Sequence, residues 1–180
     1  MKIGFDLDKI FIDYPPLIPD AFIDKLYKKK ANGTLLYRTP SGPERLLRQA
    51  SHLPLFRPVI KNNIQFLRSL PKNKYELYLV SSRFDFLEKQ TLSRMHELGF
   101  DLIFKKMFFN FENQQPHIFK ESVLKRLRLD SYVDDDIHLL KYVAKSNKHT
   151  RLYWLHAQPS TIHLPQNITQ LINLSEITLL

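Results

Sequence analysis

Carboxylates, hydroxyls and a lysine follow or precede apolar stretches at three places in this sequence of 180 residues. The first stretch ends in Asp6-Leu7-Asp8, the second in Ser81-Ser82-Arg83 and the third in Asp134-Asp135-Asp136, while Lys120 precedes the third. Carboxylates brought together in a partly desolvated cleft repel one another strongly. A bound divalent cation relieves that repulsion, and carboxylate oxygens favour Mg²⁺. A metal-bound carboxylate beside a free one can serve as a nucleophile and an acid/base pair.

The elements that would bring these residues together alternate between strand and helix patterns. Short apolar strands are predicted at residues 2–7, 75–80, 102–109, 131–134 and 151–155. Helical spacing is predicted between them at residues 59–70, 84–98, 117–128 and 137–146, and a further edge strand within 161–180. This alternation indicates a parallel sheet with right-handed crossovers. Ligands of such sheets bind at the carboxyl ends of the strands, where the polar residues lie.

Residues 14–58 interrupt this alternation. They contain breaks at proline and glycine, with a helix predicted at 20–30, a strand at 34–38 and a short helix at 44–50. Residues 14–74 contain 12 Lys and Arg but only 3 Asp and Glu, so they carry the whole net charge of +9. Such a basic field attracts anions, including phosphorylated metabolites, nucleotides and nucleic acid.

The polar residues also occur in the order of a known set of motifs, and the sequence resembles the haloacid dehalogenase superfamily of Mg²⁺-dependent phosphohydrolases. The first motif of that family, an apolar strand followed by D-x-D-G-T-L-x-D, is matched by IGFDLDKIFID over residues 3–13. The second motif, a Ser or Thr after an apolar strand, is matched at Ser81, and Arg83 resembles a T-x-R variant of it. The third motif, a lysine, is matched at Lys120, and the fourth, an apolar strand followed by Asp-Asp, at 134–135.

The resemblance implies a fold and an activity. The fold would be a three-layer α/β sandwich with a five-stranded, mainly parallel Rossmann-like sheet. Residues 1–13 and 59–180 would form the core, and residues 14–58 a small basic cap inserted after the first strand. The activity would be Mg²⁺-dependent hydrolysis of a phosphomonoester through an aspartyl-phosphate intermediate.

The resemblance also implies catalytic roles for the matched residues. Asp6 would attack phosphorus, and Asp8 would protonate the leaving oxygen and then activate water. Ser81, with Ser82 as the alternative, would hold phosphoryl oxygens together with Lys120. Side-chain or backbone oxygens of four residues are the candidate metal ligands: Asp6, Asp8, Asp135 and, as the alternative to Asp135, Asp134.

Two positions depart from the family pattern, since Lys9 stands where Gly is usual and Ile10 where Thr or Val is usual. A bulky cation directly after Asp8 would either crowd the site or contact the substrate. The candidate substrate contacts are Lys9, Ser82, Arg83 and three arginines beside the Pro and Gly breaks of the cap, Arg38, Arg45 and Arg48. Lys28 to Lys30 are expected to face solvent.

The expected partner is a small phosphorylated metabolite or a nucleotide. The alternative function is a catalytically degenerate binding or regulatory protein that docks on nucleic acid through its basic segment. Nucleic acid is the less favoured partner, because the sequence contains no recognised nucleic-acid motif.

Composition excludes several other classes. The absence of cysteine rules out disulfides, thiolate metal sites and a cysteine nucleophile. No apolar run approaches 18 residues, so no transmembrane helix is expected. Asp6 and Asp8 lie where a signal peptide needs its apolar stretch, and a cytoplasmic location is therefore expected.

Overall fold

A computed structural model describes residues 1–15, 28–31, 34–38 and 40–177, and a parallel β-sheet lies at its centre. The strands in chain order are β1 (Lys2–Phe5), β2 (Lys28–Ala31), β3 (Thr34–Tyr37), β4 (Glu76–Ser81), β5 (Lys106–Phe109), β6 (Ser131–Asp134), β7 (Arg151–Leu155) and β8 (Ile168–Leu171). Six of them form the central sheet in the order β5-β4-β1-β6-β7-β8, with every neighbouring pair parallel. The predicted fold class is confirmed, and the sheet has six strands rather than five because β8 pairs with β7.

The helices connect these strands as the apolar spacing predicts. Within the described ranges they are α1 (Gly42–Ser51), α2 (Lys61–Ser69), α3 (Glu88–Glu97), α4 (Pro116–Leu127) and α5 (Ile137–Ala144). The strand predicted within 102–109 is β5, which begins at Lys106 after the 3₁₀ turn that Phe100–Leu102 form behind α3. Gly99 starts that turn with φ of 67°, a conformation that favours glycine.

Two apolar layers cover the two faces of the central sheet. One contains Phe5 and Leu79 with buried residues of α2 and α3, and the other contains Val80 and Tyr132 with buried residues of α4 and α5. Strands buried on both faces are nearly continuous apolar runs, which explains why these segments are readable in the sequence. The result is the expected three-layer sandwich.

In the basic segment, residues 14–58, the described residues form a separate hairpin and a helix. β2 pairs with β3 in an antiparallel two-stranded sheet, with Lys28 opposite Tyr37. The helix predicted at 20–30 is therefore wrong at Lys28–Lys30, where pairing with β3 prevails over local helix propensity; residues 20–27 lie outside the described residues. The domain boundaries at 13/14 and 58/59 stay predictions. In the part of the chain that the structure describes, no helix has the length and apolar character to cross a membrane.

Candidate active site

The acidic residues meet because their strands are neighbours. β1 lies beside β6 with Phe5 opposite Val133, and the amide of Asp6 donates to the carbonyl of Val133 at 2.9 Å. After β1 and again after β6, the chain leaves the sheet at the same edge. Carboxylate oxygens of Asp6, Asp134 and Asp135 consequently all lie within 4.8 Å of one another.

Lys120 is the cation of this cluster. It projects from α4, is 3% exposed, and places its Nζ 2.8 Å from Oδ1 of Asp6 and 2.7 Å from Oδ2 of Asp134. Burial alone would lower the pKa of Lys120, but the two carboxylates outweigh it and raise that pKa. Lys120 therefore stays charged in the folded protein.

Two of the three carboxyl groups are held less acidic than free aspartate. Burial raises the pKa of Asp6 to about 7, with added repulsion from Asp134 and Asp8, although Lys120 opposes the shift. Burial likewise raises the pKa of Asp135 well above its usual range, with repulsion from Asp134 and Asp6 contributing. Carboxyl groups whose pKa is raised by burial and by neighbouring acids are the ones whose ionised form a bound cation stabilises most.

Asp134 has its oxygens occupied by the protein. Its Oδ1 accepts from the amide of Asp136 at 2.9 Å, and its Oδ2 accepts from Lys120 and from the hydroxyl of Tyr132 at 2.9 Å. The side chain of Asp134 is fully buried, whereas Asp135 is half-buried. Of the two candidate ligands, Asp135 therefore has the more accessible oxygens, and Asp134 holds Lys120 in place.

Asp8 is paired with two arginines. Arg83 donates from Nη2 to Oδ1 at 2.7 Å and from Nε to Oδ2 at 3.0 Å, and Nη1 of Arg57 lies 2.5 Å from Oδ1. Burial would raise the pKa of Asp8, but these guanidinium groups outweigh it and hold that pKa well below its usual range. Asp8 is therefore an anion in this arrangement. Arg83, which is predicted as a substrate contact, instead donates hydrogen bonds to Asp8 and, at 3.3 Å, to the hydroxyl of Thr91.

Of the two adjacent serines, the structure places Ser82 at the cleft. Side chains alternate along β4, so Ser81 shares the face of Leu79 while Ser82 shares that of Val80, the face that α4 and Lys120 cover. Ser82 lines the cleft, Ser81 does not, and the hydroxyl of Ser82 is buried without a hydrogen-bond partner within the described residues.

Some of the predicted cationic substrate contacts line the cleft and others do not. Lys9 does not line the cleft, because its Nζ lies 3.1 Å from Asp13, and its φ of 62° explains why glycine suits this position. Arg38 and Arg48 line the cleft, whereas Arg45 lies behind it with its guanidinium 5.6 Å from the ring centre of Phe86.

The cleft over the strand ends has a volume of about 880 Å³, including space open to solvent. Residues in its lining that the sequence did not single out include Tyr14, Tyr37, His52, Arg57, Phe84 and Phe86. Arg57 carried the same signal as the three chosen arginines, since it precedes Pro58 in the basic segment. The aromatic residues carried no such signal, because an aromatic side chain in a sequence is explained as readily by a place in the core as by a binding site.

His52 enters the cleft as a neutral ring. Its Nδ1 lies 2.7 Å from the carbonyl of Arg48, and a carbonyl only accepts, so Nδ1 carries the proton. Burial lowers the pKa of His52 to about 3, with repulsion from Arg57 and Arg83 contributing. His52 therefore adds no charge to the cleft at neutral pH.

Comparison with known proteins finds likeness at the level of structure. No protein-family model and no curated protein sequence matches the chain. A solved structure described as a haloacid dehalogenase-like hydrolase from Bacteroides fragilis matches with a TM-score of 0.58 and 15% identity, over 89% of each chain. Another, described as a β-phosphoglucomutase from Thermotoga maritima, matches with a TM-score of 0.51 and 16% identity, over 94% of each chain. At this identity the likeness concerns the fold, and it confirms that the chain resembles haloacid dehalogenase-like proteins.

Proposed function

We propose that this protein is a Mg²⁺-dependent phosphomonoester hydrolase that forms an aspartyl-phosphate on Asp6. One observation carries the proposal: at the carboxyl edge of a parallel sheet, the buried ammonium of Lys120 pairs with Asp6 and Asp134, and carboxylate oxygens of Asp6, Asp134 and Asp135 lie within 4.8 Å of one another. Three acids at one point, two of them buried and one half-buried, are costly unless cations accompany them. The fold shared with a haloacid dehalogenase-like hydrolase supports the same reading.

The donor set fits Mg²⁺. Asp6 and Asp135 offer carboxylate oxygens, and hard oxygen ligands are what this ion binds. By resemblance, the backbone carbonyl of Asp8 is the third protein ligand. When bound, the ion supplies Lewis-acid stabilisation of charge on the phosphoryl oxygens.

The residues of this chain perform the remaining steps. A carboxylate oxygen of Asp6 attacks phosphorus, forming one P–O bond as the bond to the leaving oxygen breaks. Lys120 and Ser82 hold phosphoryl oxygens, since charge stabilisation is what phosphoryl transfer chiefly needs. By resemblance, Asp8 is the acid/base: once protonated in the substrate complex it gives that proton to the leaving oxygen, and it later takes one from the water that releases phosphate from Asp6.

Release of phosphate from an aryl phosphate with Mg²⁺ tests the proposal. Asp6→Asn is expected to abolish turnover while leaving the fold and thermal unfolding close to those of the wild type. Asp101→Asn is the matched control, because Asp101 is an aspartate that pairs with His96 outside the cleft. Full turnover by Asp6→Asn would exclude Asp6 as the nucleophile.

Calorimetry with Mg²⁺ tests the metal site independently of turnover. Asp135→Asn is expected to weaken Mg²⁺ binding more than Asp134→Asn does, because the oxygens of Asp134 are occupied by protein donors. Equal Mg²⁺ affinity in Asp135→Asn and the wild type would reject Asp135 as a ligand.

A second candidate function follows from the state of Asp8. A carboxylate paired with Arg57 and Arg83 is a weak proton donor, and this favours a binding protein built on a phosphatase fold. Such a protein would bind phosphate esters without hydrolysing them. The aryl phosphate assay therefore separates the two functions, with salt-dependent binding to DNA or RNA as the test of a nucleic-acid partner.

A further inference from the structure

Among the described residues, four aromatic rings of Phe and Tyr line the cleft, and the neighbouring pair Phe84 and Phe86 forms an aromatic wall. Phe84 and Phe86 follow the end of β4, and their ring centres lie 6.1 Å apart. Tyr14 and Tyr37 line the same cleft from the segment inserted after β1. Phe84 is buried, while the other three rings are half-buried and keep surface that faces the cleft.

This wall is held in place by polar contacts behind it. The side chain of Gln49 on α1 donates to the carbonyl of Phe86 at 2.7 Å, and Gln90 on α3 donates to the carbonyl of Gln49 at 3.2 Å. The guanidinium of Arg45 packs over the ring of Phe86 at 5.6 Å. A ring anchored in this way is preorganised, so a ligand that stacks on it does not bear the cost of ordering it.

The lining is poor in uncharged hydrogen-bonding side chains of the kind that bind polyols. Apart from Ser82 and the aspartates at the strand ends, the described lining contains no Asn, Gln, Thr or Glu. The hydroxyl of Tyr37 is already committed to Asp136, to which it donates at 2.7 Å. A sugar phosphate with many hydroxyl groups would find few uncharged partners there and would compete with the carboxylates for the cationic groups, which is unfavourable in a partly buried site.

Flat cationic groups accompany the rings instead. The guanidinium of Arg57 lies 4.8 Å from the ring centre of Tyr14, and Arg38 and Arg48 also line the cleft. Guanidinium planes and aromatic rings both stack on flat unsaturated rings. The chemistry away from the strand ends therefore suits a planar ring rather than a polyol.

We infer that the substrate is a phosphomonoester whose leaving group carries a planar aromatic ring, specifically a nucleoside monophosphate. Its phosphate would lie at Asp6 and Lys120, and its base against the wall formed by Phe84 and Phe86. The inference rests on the proposed function and names the substrate class of the same site.

Kinetics with matched phosphate esters test the inference. AMP and ribose 5-phosphate share the phosphate and the sugar, and only AMP has a base. Stacking of a base on aromatic side chains predicts a kcat/KM for AMP about 5- to 150-fold above that for ribose 5-phosphate. Phosphotyrosine shares the planar ring without the nucleoside, and a kcat/KM above that for AMP would overturn the nucleoside assignment.

Replacement of one ring separates stacking from general effects. Phe86→Leu keeps apolar volume but removes the ring, and is expected to lower the ratio of kcat/KM for AMP over ribose 5-phosphate by at least about 5-fold. Phe111→Leu is the control, because Phe111 stacks on Phe109 outside the cleft at 5.2 Å. It is expected to leave that ratio unchanged.

Calorimetry on Asp6→Asn gives a readout that does not need turnover. AMP is expected to bind this variant more tightly than ribose 5-phosphate, and the added Phe86→Leu change to remove the difference. Hydrolysis of both esters at equal kcat/KM would overturn the inference and leave the proposed function standing. Ring-dependent binding of AMP without hydrolysis of any ester would overturn the proposed function and leave the inference about the bound ring standing.

Discussion

The ring of Tyr132 lies across the backbone of Gly4, its register partner on the neighbouring strand. A Cβ at Gly4 would lie 2.8 Å from Cδ2 of Tyr132 and 2.5 Å from Cδ1 of Leu129, and both side chains are fully buried. Gly4 thus makes room for the ring whose hydroxyl donates to Asp134. Packing at β1 is in this way connected to the position of Lys120.

Gly4→Ala is expected to destabilise the protein by about 1–3 kcal/mol, the range for overpacking a well-filled core. Urea unfolding measures this change. Gly42→Ala is the matched control, because a Cβ there meets nothing within 4 Å. Its expected effect is neutral or stabilising, since alanine is the better helix former. Equal stability of the two variants would show that Tyr132 moves aside at little cost.

The expectation that polar residues at the carboxyl ends of parallel strands lie together was sufficient to predict the acidic cluster. Asp6, Asp134 and Asp135 come together because parallel neighbouring strands end at one edge, and that follows from the order of apolar runs and helices. The sequence did not determine whether Ser81 or Ser82 lies at the cleft. A strand buried on both faces shows no alternation of apolar and polar residues, so the sequence does not show which face a residue takes.

The pairing of Asp8 was also beyond the reach of sequence. Arg57 and Asp8 are 49 positions apart, and their contact depends on how the basic segment packs over the core. The sheet topology fixes where Asp8 lies, but no periodicity shows which arginine of the segment reaches it. The same holds for the aromatic rings of the cleft, which come from three separate parts of the chain: Tyr14, Tyr37 of β3, and Phe84 with Phe86 after β4.

Lys120→Met tests the buried cation. The variant leaves two buried carboxylates without their partner, which is expected to cost about 3–5 kcal/mol near pH 8 and to reduce turnover about 10²- to 10³-fold. Because Lys120 opposes the rise in the pKa of Asp6, its removal raises that pKa further above 7. Above about pH 7, Asp6 is ionised in the folded wild type but still protonated in the folded variant, so the penalty is expected to grow as pH rises above about 7.

Lys125→Met is the control for this prediction. Lys125 lies on the same helix, is exposed and pairs with Glu121, so the expected change in stability is below about 0.5 kcal/mol at every pH. Urea unfolding of both variants at pH 5 and pH 8 is the measurement. A penalty in Lys120→Met that stayed constant with pH would contradict the assigned charges.

Lys9→Gly tests whether the departure from the family pattern affects catalysis. Glycine relieves a left-handed backbone conformation at the loss of a partly exposed pair with Asp13 and of the contact between Nζ and the ring of Tyr14 at 4.8 Å, so the net change in stability is expected to stay within about 1 kcal/mol. Because the side chain of Lys9 does not line the cleft, kcat/KM is expected to change less than about 2-fold. A large gain in kcat would show that Lys9 obstructs the site.

Arg57→Met tests the restraint on Asp8. Arg83 remains, so the pKa of Asp8 is expected to rise from its lowered value without returning fully to its usual range. A general acid works in its protonated form, and activity that depends on it falls as pH rises through its pKa. The alkaline limb of the kcat profile for an alkyl phosphate is therefore expected to move to higher pH in Arg57→Met.

An aryl phosphate supplies the internal comparison, because its leaving group needs little protonation and its profile is expected to shift less. Arg94→Met is the matched control, since Arg94 pairs with Glu97 away from the cleft. The wild-type profile in Arg94→Met, with a shifted limb in Arg57→Met, would identify Asp8 as the titrating acid. Identical profiles for the alkyl phosphate in the wild type and Arg57→Met would mean that Asp8 does not donate the proton, and the binding-protein alternative would gain support.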